Sequence, residues 1–185
     1  DQTASLTASG HVRTSLQLEQ LNETTGLREV STTDVVADTF VYDDAAHHAI
    51  YTKTRLSSDF MTLKADTIDM FLGTDSRTLD RLEATGNVQL SLDGRWTTGD
   101  HLVYYDADGR YDMEGAPVVY EAEVEPEDSA TTTPVRPGAP PPPPSCQRST
   151  GRILTFDRSS DTVAVDGEGV LRAQTTTVRC TPLVF

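Results

Sequence analysis

The chain has 185 residues and carries 29 acidic against 15 basic residues, a formal net charge of −14. Such an acidic surface repels phosphate backbones and anionic lipids, which argues against nucleic acid as a partner and against electrostatic adsorption to a membrane. Hydrophobic residues make up 36% of the chain and aromatic residues 6%, which suits stacked repeats with a shared shallow core better than one compact globule. Thr, Val, Asp and Gly recur throughout, so strands are expected rather than helices.

A short pattern recurs along the chain: a small residue, a polar residue and then alternating apolar positions. It reads ADTFVY at residues 37–42, ADTIDM at 65–70, GDHLVY at 99–104 and, more loosely, GRILTF at 151–156. The first three lie 28 and 34 residues apart (66 − 38 and 100 − 66), within the range of stacked supersecondary units. The chain is therefore predicted to consist of repeated strand pairs.

A second pattern places a glycine inside a strand-like stretch. It reads ASGHV at residues 8–12 and ATGNV at 84–88, with relatives at 113–118 and 165–170. A glycine in such a place marks a bulge or bend where a side chain would be crowded. We therefore predict that strands bend at these glycines.

The stretch from Leu82 to Leu92 alternates strictly, with apolar or small residues at even positions and polar residues at odd positions. This period of two is typical of a half-buried antiparallel strand. The same alternation gives the apolar residues predicted to face the interior: Phe40, Tyr42, Ile68, Met70, Leu82, Val88, Leu90, Leu92, Leu102, Tyr104 and Met113. In a sandwich these side chains form a closed core, whereas in two sheets that splay at one edge they line a groove, and alternation fits both.

No catalytic pattern stands out in the sequence, neither a nucleophile elbow nor a phosphate-binding loop. Asp43-Asp44 and His47-His48 are of metal-ligand type, but they fall where a polar turn is expected, and adjacent histidines of a strand point to opposite faces. We therefore expect no catalytic residues, no metal and no cofactor.

Residues 125–147 interrupt the repeats with a proline-rich segment that includes five consecutive prolines at 140–144. Proline has no amide donor, so this run favours an extended polyproline conformation over a sheet. The segment is predicted to be a linker or insertion between β-repeats at 1–124 and a final repeat at 148–185 that completes the same fold. Cys146 and Cys180 flank that final repeat and suit either a disulfide, which we favour, or two buried thiols.

Four segments resemble the OstA-like superfamily in their order and spacing: 65–68 (ADTI), 82–88 (LEATGNV), 99–106 (GDHLVYYD) and 111–118 (YDMEGAPV). Members of that superfamily are periplasmic lipopolysaccharide-transport proteins of the LptA and LptC type, and the ATGNV match favours the LptA type. The close resemblance covers about residues 60–122, and weaker repeats extend it from Ser5 to Thr177. The proline-rich segment and the two cysteines depart from the superfamily pattern.

The resemblance implies a repetitive antiparallel β-jellyroll, folded like a taco shell with an open groove between two sheets. It implies a module that binds acyl chains of lipopolysaccharide, or of a similar multi-acyl lipid, and passes them between the inner and outer membranes. Other OstA-like transport components, including copies of this chain, would join it head to tail through edge strands. The module would be periplasmic, either soluble or tethered by an N-terminal segment absent from this sequence.

Two points remain open at the level of sequence. Arginines at predicted turns and strand ends either balance nearby acids or contact lipid phosphates at a groove rim: Arg77, Arg81, Arg95 and Arg110. The alternative to a lipid conduit is a ligand-free structural β-repeat protein of the cell envelope.

Overall fold

The computed structural model describes residues 5–22, 27–75, 77–124, 144–168 and 172–185. In this part of the chain, ten strands form one antiparallel sheet. They are β1 (Ser5–Asn22), β2 (Leu27–Asp43), β3 (His48–Ser57), β4 (Met61–Leu72), β5 (Leu79–Leu92), β6 (Arg95–Tyr105), β7 (Arg110–Val124), β8 (Ser145–Asp157), β9 (Thr162–Asp166) and β10 (Gln174–Arg179). Strands β1 to β8 lie side by side in chain order, and β9 and β10 both pair with β8. The predicted all-β antiparallel fold is confirmed.

The sheet folds over on itself, because strands β1 to β8 each run through two facing halves. Half I consists of residues 5–9, 39–43, 48–52, 67–72, 79–85, 101–105, 110–114 and 153–157 together with β9. Half II consists of residues 12–22, 27–37, 54–57, 61–65, 88–92, 95–98, 118–124 and 145–151 together with β10. Side chains of the two halves meet: Thr14 Oγ1 lies 3.2 Å from Tyr51 Oη, and Thr97 Oγ1 donates to Met113 Sδ at 3.4 Å.

The glycine pattern lies on the line where the sheet bends. Pairing registers shift at residues 9–12 of β1 and 85–88 of β5, so the predicted bulges are present there. Gly86 and Asn87 both have positive φ, 78° and 48°, and so do Gly10 and His11, 83° and 56°. Such backbone favours glycine and asparagine. A third shift falls at residues 114–118 of β7, whereas residues 169–170 of the fourth candidate lie outside the described residues.

The first repeated pattern, a small residue followed by a polar residue, lies at the same bend in a neighbouring strand, β4. Ala65 and Ile68 are both buried although they are three residues apart, so β4 changes the face that it buries between them. Asp66 lies at this change and accepts hydrogen bonds from Asn87 Nδ2 at 2.6 Å and from Lys53 Nζ at 2.5 Å. Asp66 therefore ties the bends of β3, β4 and β5 together.

The chain enters and leaves the proline-rich segment through one strand pair. Residues 125–143 lie outside the described residues, and Val124 pairs with Ser145 across this segment. Because of that pairing, β8 begins at Ser145, so residues 145–147, predicted as the end of the linker, belong to the sheet. Cys146 and Cys180 form a disulfide, with their Cα atoms 4.9 Å apart.

Candidate functional site: the interior between the sheet halves

The apolar residues that alternation predicts to face inward lie in the interior between halves I and II. Ten of the eleven predicted interior residues are at most 9% exposed, namely Phe40, Ile68, Met70, Leu82, Val88, Leu90, Leu92, Leu102, Tyr104 and Met113. Tyr42 is partly buried and packs against the same cluster. Half II supplies Val88, Leu90 and Leu92, and half I supplies the others. The eleven residues thus belong to one apolar cluster shared by both halves.

The cluster also contains Tyr111, which alternation places on the same face of its strand as Met113, and residues that the sequence reasoning missed: Leu18, Val35, Tyr51, Leu56, Leu63, Leu154 and Phe156. A signal was available for two of them. Leu154 and Phe156 occupy the positions in GRILTF that Leu102 and Tyr104 occupy in GDHLVY. Leu18, Val35, Tyr51, Leu56 and Leu63 lie outside the repeated patterns.

Side chains fill the interior almost completely. Between the halves, among the described residues, lie voids of about 20 Å³ each, such as one beside Leu79 and Tyr104 and another beside Leu90 and Leu154. A void of that size holds on the order of one water molecule, whereas sites for small organic ligands measure about 300–1,000 Å³. An acyl chain can therefore enter this interior only if the two halves move apart.

Opposite the bend, the halves meet along a rim that is fastened by an ion pair. Arg95 begins β6 in half II, and Asp161 lies in the turn between β8 and β9 of half I. The guanidinium and the carboxylate form a bidentate pair, with 2.5 Å between Nη1 and Oδ1 and 2.9 Å between Nη2 and Oδ2. This hydrogen bonding lowers the pKa of Asp161 below its usual value, so the pair is charged at neutral pH.

Two further contacts cross the rim. The Arg158 guanidinium lies 4.3 Å from the centre of the Phe60 ring, which belongs to the turn between β3 and β4. The backbone amide of Glu19 in β1 donates to the Arg77 carbonyl before β5 at 3.0 Å. Each contact joins an element of half II to a turn of half I. The rim is thus closed by polar and cation–π contacts rather than by continuous strand pairing.

Just inside the rim the interior presents tyrosines. Tyr104 and Tyr111 pack with ring centroids 4.4 Å apart, and Tyr104 Oη donates to Asp106 Oδ1 at 3.1 Å. Burial, more than any neighbouring charge, raises the pKa of Tyr104, so its hydroxyl is protonated at neutral pH. These rings give the mouth of the interior an apolar wall with a few polar atoms.

Three of the remaining sequence candidates, His48, Arg81 and Arg110, make local contacts on the outer surface. His48 Nε2 lies 2.8 Å from Asp69 Oδ1, and its ring stacks on Phe71. Arg81 and Arg110 each pair with a carboxylate at 3.0 Å, on Glu83 and Asp112 respectively. Among the described residues, no group of three or more His, Cys, Asp or Glu side chains is arranged to hold a metal. The part of the chain that the structure covers also has no helix long and apolar enough to cross a membrane.

Comparison with known proteins places this geometry in a family context. The family described as LptA/(LptD N-terminal domain) LPS transport protein matches residues 34–132, which is 99 of the 185 residues (132 − 34 + 1). Among solved structures, the fold is similar to LptH, described as the LptA-homologous periplasmic component of the lipopolysaccharide transport device of Pseudomonas aeruginosa. The TM-score is 0.56 at 12% identity, over 81% of this chain and 95% of that chain. No curated protein matches the sequence.

Proposed function

The chain belongs to the LptA and LptD N-terminal-domain family of lipopolysaccharide transport proteins, and from this premise we propose that it is a periplasmic module that binds lipopolysaccharide acyl chains between its two sheet halves. The observation that carries the proposal is the single apolar cluster shared by both halves. Each methylene group that leaves water for such an interior contributes about 0.8 kcal/mol. The interior can therefore hold a multi-acyl lipid without basic side chains inside it.

Loading requires the rim to part while the bend acts as a hinge. The ion pair between Arg95 and Asp161 is partly exposed, with the Asp161 side chain 69% accessible, and pairs of this kind contribute only about 0–1 kcal/mol. Burial of a few methylene groups offsets that loss. Acyl chains would enter past Tyr104 and Tyr111 and spread the halves. Passage along the interior would need no chemical step in this chain, since burial alone holds the lipid.

Assembly with neighbouring modules would use the two sheet edges. Along one edge, β1 pairs with β2 and otherwise makes only an isolated bridge from Glu19 to Thr78, within the described residues. Along the other edge, β9 and β10 pair only with β8 in the same part of the chain. Unpaired amide and carbonyl groups of an edge strand accept a further strand. We infer that other members of the family, or copies of this chain, add there head to tail and extend the apolar interior from one module to the next.

Photocrosslinking from two adjacent tyrosine positions tests the proposal. Tyr104 faces the interior and Tyr105 faces outward, so replacing each in turn by a benzophenone amino acid gives a probe and its matched control. With lipopolysaccharide in solution we expect an adduct from position 104 and none, or far less, from position 105. Equal labelling at the two positions, or none at position 104, would refute an interior lipid site.

The filled interior favours one competing function, a ligand-free structural β-repeat protein. In that case the voids of about 20 Å³ are ordinary packing defects, and the chain should purify without lipid and give no adduct at Tyr104. Assembly is tested separately by size-exclusion chromatography over a range of concentrations. Head-to-tail stacking predicts species that grow with concentration, whereas a strict monomer at high concentration would count against it.

A further inference from the structure

The outer face of half II carries a row of basic side chains. Register places Arg13 of β1 beside Val36 of β2, Val36 beside Arg55 of β3, and Arg55 beside Lys64 of β4. All three basic residues are exposed. They lie on the face opposite the interior, since the neighbouring Thr14 turns inward to Tyr51. Three positive charges therefore line up across four adjacent strands.

These three charges lack partners in a chain where acids outnumber bases 29 to 15. None of their side chains makes a hydrogen bond or ion pair with any residue that the structure describes. Other basic side chains do find carboxylates: Lys53, Arg81, Arg95, Arg110, Arg148 and Arg152. Arg55 and Lys64 are moreover direct cross-strand neighbours, an arrangement of like charges that disfavours folding. Fold stability does not account for this row.

The row borders a concavity of about 460 Å³. Its walls include Arg13, Arg55, Ser15 and Ser57, with Asp34 as the one carboxylate. Guanidinium groups donate paired hydrogen bonds to phosphate oxygens, and hydroxyl groups add single donors. The two lining arginines outnumber the one lining carboxylate, and Lys64 lies next in the row, so the net charge around the concavity is positive. The volume is typical of sites for small ligands rather than of protein interfaces.

We propose that this concavity is a binding site for a phosphate monoester of small-molecule size, such as a phosphorylated sugar. Arg13 and Arg55 would clasp the phosphate from either side of β2, and Lys64 would add long-range attraction. The site lies on the opposite face of half II from the lipid interior. Arg13, Arg55 and Lys64 do not belong to the apolar cluster, so a failure of acyl-chain binding there and a failure of phosphate binding here can be told apart.

The test is a calorimetric titration of the full chain at low salt with glucose 6-phosphate, inorganic phosphate and glucose. We expect saturable binding of the two phosphates, none of glucose, and affinity that falls as salt is added. The double substitution Arg13→Gln with Arg55→Gln should weaken phosphate binding at least about tenfold. Arg179→Gln, on β10 at the other sheet edge, removes the same kind of charge from an exposed position and should change nothing.

Lipopolysaccharide with and without its phosphates distinguishes the natural source of the group. If the source is the lipid headgroup, the double substitution weakens binding of the phosphorylated lipid and spares the dephosphorylated one. If the source is a soluble ester, lipid binding is unchanged while glucose 6-phosphate binding falls. The proposal is overturned if the wild-type chain binds no phosphate saturably, or if it binds phosphate as well after the double substitution as before, with unfolding curves showing both variants folded.

Discussion

The bend and the rim join the same two sheet halves by different means. At the bend the backbone itself is continuous, its bulges have positive φ at Gly86 and Asn87, and Asp66 ties adjacent strands together. At the rim the halves meet through the exposed ion pair of Arg95 with Asp161 and the contact of Arg158 with Phe60. This difference is the basis of the proposed opening, in which the bend acts as the hinge and the weaker rim contacts separate.

The largest expected effect on stability comes from the Cys146–Cys180 disulfide, which lies at neither the bend nor the rim. The Cys146–Cys180 disulfide closes a loop across 34 residues and holds the C-terminal segment on half II, where the Thr181 amide donates to the buried Glu121 at 3.2 Å. Replacing both cysteines by serine should lower the free energy of unfolding by about 2–4 kcal/mol, measured by urea denaturation. The distance across the rim should stay unchanged in this variant, since the disulfide lies within half II; a wider rim would contradict that expectation.

At the bend, Gly86→Ala should lower the free energy of unfolding by about 1–3 kcal/mol, because a side chain is strained at its φ of 78°. The added Cβ would also lie 2.7 Å from Asp66 Oδ2. Gly10→Ala is the matched control, since Gly10 has a φ of 83° with no atom within 4 Å of an added Cβ. Denaturant titration should show a smaller loss for Gly10→Ala. Equal losses of unfolding free energy in the two variants would mean that the close contact with Asp66 does not contribute to the destabilisation by Gly86→Ala.

At the rim, acidification should break the ion pair between Arg95 and Asp161 with little loss in the free energy of unfolding. Hydrogen bonding to Arg95 lowers the pKa of Asp161 in the folded chain, so the contribution of the pair is complete above the usual Asp pKa of about 3.9 and disappears as pH falls through the lowered value. The loss is at most about 1 kcal/mol, because the carboxylate is largely exposed. Between pH 5 and 8 no change is expected from this group.

The Asp161→Asn variant separates this effect from general acid unfolding. Its unfolding midpoint should be slightly below that of the wild type at pH 7, and the difference should vanish at low pH, where Asp161 itself is protonated. Asp108→Asn, in the exposed turn between β6 and β7, is the matched control and should behave as the wild type does. A constant difference at every pH would assign the effect to something other than the charge of Asp161.

The strands and their inward residues could be predicted because alternation is local. Leu82, Leu90 and Leu92 follow one period of two across the Gly86 bulge, which keeps the same parity buried. The change of buried face between Ala65 and Ile68 was not predictable from alternation, since it breaks the period at Asp66. The repeated pattern flagged that position, and its structural role appears only once the strands are paired.

The rim ion pair and the row of basic side chains could not be predicted from the sequence, for a different reason. Arg95 and Asp161 are 66 residues apart, and they meet only because the sheet folds in half. Arg13, Arg55 and Lys64 come from three strands whose register is needed to align them. For Arg95 the sequence left open whether it balances a nearby acid or contacts lipid phosphates at the rim, and the structure pairs it with the Asp161 carboxylate. Such sites depend on tertiary contacts that no local pattern encodes.

The central claim, that lipid enters by parting the rim, is tested most directly by a distance across it. Spin labels at Asp59→Cys and Ser160→Cys flank the rim on exposed turns of halves II and I. Labels at Asp108→Cys and Ser160→Cys lie on turns of half I alone and report any distortion within that half. We expect pulsed electron paramagnetic resonance to show the first distance lengthening on addition of lipopolysaccharide while the second stays constant. A rim distance unchanged at saturating lipid would contradict the account.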